Sequence, residues 1–299
     1  MLHRIRVVLT AGLIAFAPAV LANTAAPAAQ ANQLKTIEAM MIKAQVDEAI
    51  AAAEAWTEAE PKSADAWYML GRTNGNKATR VNMFSAAGLA RDSRNAYEKA
   101  VELDPKHVRA RFDLIQFYSM APGFMGGGAD KAEAMAGELE KIDPVWGHLG
   151  RAFLAARAKD TAGAEKHYRE ALAIDPVHQQ ALNGLISLLI GTERLDDART
   201  LAETTLQADA NNPIGLYHVA RYAAVTGKDL ESGLEHMDKF LALSEIPTNL
   251  SMAAAHWRRG QILEKLGRKD EAVASITKAV SMDERLEDAK KDLERLKKA

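Results

Sequence analysis

No cysteine occurs among the 299 residues, which removes disulfides, thiolate metal ligands and a cysteine nucleophile together. Stability has to come from packing. Proline and glycine are scarce, at 9 and 19 residues, and no stretch alternates apolar with polar residues between hairpin turns, so strands are not expected. H-E-x-x-H, G-x-S-x-G, a calcium loop and a dinucleotide fingerprint are all missing, which leaves catalysis without a sequence signal. An excess of positive charge is missing too. Lysine and arginine number 38 against 40 acidic residues, the wrong balance for a general nucleic-acid binder.

What is present is helix-forming and globular. Apolar residues make up 48% and charged residues 26%, enough to bury a large core, and the abundance of alanine and leucine predicts an all-α chain. Residues 1–22 stand apart. Arg4 and Arg6 precede an apolar run from Val7 to Leu21, and Val20-Leu21-Ala22 has the small-residue form of a cleavage site, so the segment reads as a secretory signal. The run is short for a membrane span. The expectation is an exported, periplasmic chain with no stable membrane insertion after the signal is removed. Its charge, without Arg4 and Arg6, is 36 basic against 40 acidic residues. Residues 23–32, rich in alanine, read as a flexible spacer.

Three strings end alike: Tyr97-Glu-Lys-Ala100-Val-Glu-Leu-Asp-Pro105, Tyr168-Arg-Glu-Ala171-Leu-Ala-Ile-Asp-Pro176 and Ile276-Thr-Lys-Ala279-Val-Ser-Met-Asp-Glu284. Trp67, Leu70 and Gly71 open one copy, and Gly260, Gly267, Ala272, Ile276 and Ala279 mark the cleanest. Self-similarity at a period of about 34 residues means that one unit cannot bury its own apolar face, so neighbours stack. With W-x2-L-G, A-x3-F and a closing proline, residues 33–299 resemble the tetratricopeptide-repeat family, and similar exported bacterial proteins have no established role. The resemblance implies a right-handed superhelical solenoid of antiparallel helix pairs, about six units after a degenerate opening one. The charged segment 286–299 would cap it. The unit near Trp146, Leu149, Gly150 and Phe153 has no clear register, because Trp146 follows Pro144 too closely.

Two insertions interrupt the period. Tyr97 follows Trp67 by 30 residues where the family places about 20. The added stretch around Met83, Phe84 and Leu89 would either pack on a neighbouring unit or form an exposed apolar contact site. The second insertion, Ala121 to Lys131, holds Gly123, Phe124, Gly126, Gly127 and Gly128. These residues are candidates for a loop contact, either as a turn needing left-handed residues or as a nest for an anion at the next helix start.

For function, the resemblance points to the concave face lined by successive first helices. Counting from the landmarks, the inward residues are Tyr68, Arg72 and Asn76; Arg109, Phe112 and Gln116; Arg151; Gln180, Asn183 and Ser187; Tyr217 and Arg221; and Trp257, Gln261 and Glu264. Aromatics, amides and arginines suit an extended peptide or protein segment. Tyr68, Phe112 and Trp257 could equally pack between first helices. The expected function is therefore a non-enzymatic interaction module, with envelope assembly or complex maturation as a setting. Two alternatives are a small-ligand binder or enzyme built on the glycine-rich insertion, and a helical-repeat RNA binder. No cofactor and no metal are expected, because His107, His148, His167, His178, His218, His236 and His256 are scattered over different helices.

Overall fold

The computed structural model describes residues 26–247 and 250–298; the secretory signal expected over residues 1–22 lies outside them. The described residues form fifteen α-helices and one 3₁₀ turn, with no strand among them. The opening pair is α1 (Ala26–Ile42) and α2 (Val46–Ala59), followed by α3 (Ala64–Ala78) with α4 (Met83–Leu103). Then come α5 (Val108–Met120) with α6 (Ala129–Ile142), α7 (Pro144–Arg157) with α8 (Thr161–Ile174), and α9 (Gln179–Gly191) with α10 (Leu195–Ala208). The last pairs are α11 (Pro213–Thr226) with α12 (Leu230–Leu241) and α13 (Met252–Lys265) with α14 (Lys269–Met282), before the single helix α15 (Glu287–Lys298). Residues 26–32, expected as a spacer, instead form the first turns of α1. Alanine-rich sequence has high helix propensity, and α1 supplies the first helix that the opening unit needs.

Each helix ending follows from its sequence. Asp104, Asp175, Asp209 and Asp283 take extended conformations at the C-caps of α4, α8, α10 and α14. A proline after the first two forbids continuation. Three residues later a side chain restarts the helix: His107 and His178 accept the amides of Ala110 and Ala181 on Nδ1, and Asn212 accepts those of Ile214 and Gly215. Two of the scattered histidines are thus helix N-caps.

Inside each pair, small residues set the helix separation. A Cβ on Gly71 would strike the Tyr97 ring, and one on Gly260 would strike Ile276, each on the second helix of the same unit. Gly150 does otherwise: it faces Ile115 of α5 and Ala136 of α6. Gly260 precedes the buried Ala279 by 19 residues, and the residue 19 before the buried Ala171 is Ala152, itself fully buried. The unit begun by α7 is therefore phased on Ala152 rather than Gly150. The cause lies at its start, where Asp143 is at once the C-cap of α6 and the N-cap of α7 and the usual turn residues are gone.

The superhelix returns on itself. Lys35 of α1 pairs with Glu245 of the α12–α13 connection at 3.5 Å. Arg285, between α14 and α15, donates to the carbonyl of Thr79 after α3 at 3.1 Å. Between them lies a recess of about 280 Å³, with Asn76 and Arg80 on one side and Leu250, Ser251 and Asp283 on the other.

Candidate groove on the inner face

One recess of about 490 Å³ on the inner face gathers side chains from four successive first helices. Glu38 comes from α1, Tyr68 and Arg72 from α3, Arg109, Phe112, Asp113 and Gln116 from α5, and Trp146 from α7. His178 and Gln180 at the start of α9, with Ile246 and Pro247 from the returning loop, complete the wall. Six of the residues expected on the inner face, Tyr68, Arg72, Arg109, Phe112, Gln116 and Gln180, meet here.

Their roles differ. Tyr68 is wedged between Tyr97, at 6.0 Å, and His107, at 4.9 Å, so it is a packing residue. Arg72 donates to Glu38 at 2.8 Å and is neutralised. Arg109 reaches the same carboxylate only at 3.5 Å and keeps 49% of its side chain exposed, leaving donors free for a partner. Phe112 meets the edge of Trp146 at 5.3 Å, and Trp146 in turn meets His178 at 5.5 Å, giving an aromatic floor. Asp113 stands beside this floor, accepting from Gln116 at 3.2 Å. Burial pushes its carboxyl up to about 6, against the opposing pull of Arg72 and a hydrogen bond from Tyr97.

The other expected residues lie elsewhere. Asn76 accepts from Arg80 in the recess between the chain's two ends. Arg151 turns away across α6, bonded to Glu140 at 2.8 Å and near Glu133 at 3.7 Å. That correction follows from the two-residue shift in α7. Asn183 accepts from Nε2 of the buried His218 at 2.8 Å, and Tyr217 packs on Phe240 at 5.4 Å. Trp257 and Gln261 both donate to Asp292 of α15, at 2.9 and 3.1 Å, so the capping helix covers them. Arg221 occupies the place of Arg72 and Gln261 in its own helix, one residue after the buried Ala220. Its Nε is buried without a partner, as is that of Arg258 on α13. The two guanidinium groups repel one another, and this, after burial, lowers the basicity of Arg258.

The insertions keep their apolar tips outside. Met83 and Phe84 head α4 at 79% and 88% exposure, against the expectation that they pack on a neighbouring unit, and Phe124 stands 90% exposed. In the second loop, Gly126 adopts φ +90°, so a left-handed turn is what the glycines serve. The amides of Gly126, Gly127 and Gly128 are consumed by Gly123, Pro122 and Tyr118 carbonyls, so these three glycines themselves offer no free donor. Sequence reasoning missed Asp113 and Arg258, which carry no repeat signature, and read Trp146 only as a repeat landmark, not as part of the groove. It also missed that His148 and His167 come together with Glu170.

Stacked helical hairpins around an inner groove define a repeat solenoid, an architecture whose concave surface serves for binding. Tetratricopeptide-repeat models match residues 155–218 and 253–286. Those two stretches are tetratricopeptide repeats. Among solved structures it is similar to a tetratricopeptide repeat protein from Parabacteroides merdae, with TM-score 0.51 and 17% identity over 90% of this chain and 99% of that one. It is also similar to yeast Tom70, with TM-score 0.56 and 16% identity over 85% of this chain and 52% of that one. Cut9 in the APC/C hetero-tetramer Cut9–Hcn1 gives TM-score 0.52 and 12% identity over 87% and 48%. Among curated proteins, none matches the chain. No helix of the described residues is long and apolar enough to cross a membrane.

Proposed function

We propose that the chain is a non-enzymatic interaction scaffold that holds an extended, acidic segment of a protein partner along its inner face. One observation carries the partner's chemistry: Arg221 and Arg258, on consecutive first helices, bury guanidinium Nε atoms with no acceptor. Unpaired buried donors of like charge cost stability, and a partner's carboxylates relieve both the repulsion and the missing hydrogen bonds. Arg109 extends the positive track toward the α3–α9 recess, where Phe112 and Trp146 offer apolar area and Gln116 and Gln180 can satisfy a backbone. Cut9, a structural neighbour, is described in a hetero-tetramer with Hcn1, which is consistent with an assembly role.

Export belongs to the same reading, supported by Arg4, Arg6 and the apolar run ending in Val20-Leu21-Ala22. The setting proposed is envelope assembly or complex maturation in a periplasm. The test is capture of partners from an envelope fraction and from an acidic peptide library by the wild type and by Arg221→Glu/Arg258→Glu. Charge reversal should abolish capture with the circular-dichroism spectrum unchanged. Wild-type yield from the folded variant would sink the reading.

A further inference from the structure

Two histidines 19 residues apart in sequence converge with a glutamate on the α7–α8 hairpin, outside the inner groove. His148 Nδ1 lies 3.4 Å from His167 Nδ1. Glu170 Oε2 lies 3.3 Å from the first and 2.9 Å from the second. A tetrahedral zinc ion with ligands at about 2.0–2.1 Å sets its ligand atoms roughly 3.3 Å apart, so these three atoms already stand near one face of such a tetrahedron. The two imidazole rings are stacked with centroids 5.7 Å apart. We propose that His148, His167 and Glu170 form a binding site for a divalent transition-metal ion of the zinc class, with a fourth position open to water.

The helices make this arrangement. His167 and Glu170 are three residues apart on α8 and share one face of it. His148 is delivered from α7 by the Ala152 phasing, which places it opposite His167. Two neutral imidazoles with one carboxylate are a borderline-soft set that suits zinc above calcium or magnesium. The side chains are 18%, 23% and 37% exposed, so an ion can enter without unfolding the hairpin. Charge favours it as well. Glu140 faces both histidines from α6, adding negative potential beside Glu170, although Arg151 bonds to it and Lys166 stands 3.9 Å from Glu170. A bound ion would take the Nδ1 lone pairs of the two neutral imidazoles, each carrying its proton on Nε2, together with the Glu170 oxygen.

The experiment uses the untagged full chain, stripped with chelator, titrated with Zn²⁺ in a calorimeter and with Co²⁺ as a visible-absorption probe. The expected result is one equivalent bound per chain and an intense four-coordinate cobalt band. His167→Ala and Glu170→Gln should each weaken zinc binding tenfold or more, while His236→Ala should leave it unchanged. Because the ion would tie α7 to α8, zinc should raise the melting temperature of the wild type and not of His167→Ala. If the wild type takes up no stoichiometric equivalent, if the cobalt complex has the weak six-coordinate spectrum, or if the His167 variant binds as tightly as the wild type, the cluster is only a carboxylate-bridged histidine pair.

Discussion

From α9 onward one buried cluster runs through Leu185, Tyr217, Phe240, Ile262 and Ile276 to Leu296 of the cap. Between α5 and α9 the core breaks into two small groups, Ile115 with Ala136 and Leu139, and Leu149 with Ala171 and Ala181. Half-buried Phe112 and Trp146 link them. In the C-terminal half α9 and α11 start 34 residues apart, and although the connection after α12 stretches the next interval to 39, each second helix still lands on the next first helix and the apolar surface joins in one cluster. The central units carry the glycine insertion and the lost turn at Asp143, and there the packing leaves room for an open recess, a buried carboxyl and paired histidines. Departures from periodicity have made the recess beside Asp113 and the histidine pair, whereas Arg221 and Arg258 stand on the C-terminal repeats themselves.

The sharpest test of this contrast is truncation on both sides of it. Phe240→Ala, in the continuous core, should cost about 3–5 kcal/mol, and Phe112→Ala, at the half-buried link, less than half of that. Equal losses in denaturant melts would break the comparison. Titration separates the regions next. Asp113 has its carboxyl raised to about 6, so the fold favours its neutral form; that stabilisation is present at low pH and lost as pH rises through 6. Asp113→Asn should therefore gain up to about 3 kcal/mol at pH 8 and nothing near pH 4.

His218, in the C-terminal core, has the opposite sign. Burial, with help from Arg221, holds it down at about 3, so its contribution is intact above pH 6.5 and falls by about 1.4 kcal/mol per pH unit below. His218→Gln should flatten that slope, which melts between pH 7 and pH 4.5 would record. Smaller effects sit in the turns. Lys159 and Glu193 adopt φ near +60° in the α7–α8 and α9–α10 hairpins, where the α13–α14 hairpin has Gly267. Lys159→Gly or Glu193→Gly should each raise stability by about 1 kcal/mol. Smallest of all, Phe84→Ser and Phe124→Ser should change it by less than about 0.5 kcal/mol, since neither ring is covered.

Much of this was legible because it is local. Asp-Pro endings, buried alanines and the aromatic of the second helix lie within a few residues of one another, so Tyr97, Ala100 and Pro105 reveal a helix and its end without knowledge of the rest. The phase of α7 was not, because Ala152 takes the glycine's place and Gly150 offers a false landmark. Inward direction was legible for Arg72 and Trp257. What covers them was not: Glu38 and Asp292 come from α1 and α15, which lack the repeat signature. His148 and His167 meet only if that phase is known, so the sequence showed them as strangers.

The contact of Arg285 with Thr79 and of Lys35 with Glu245 has a consequence for the size of the protein. In an open solenoid, duplication of a hairpin merely lengthens the rod, and copy number drifts freely between relatives. Here the path closes after seven hairpins and a cap, and one more would carry Arg285 past its acceptor and leave Arg80 without Asp283 as its nearby countercharge. The meeting of the two ends thus depends on the number of units, whereas lengthening a loop such as Ala121 to Lys131 leaves these contacts in place.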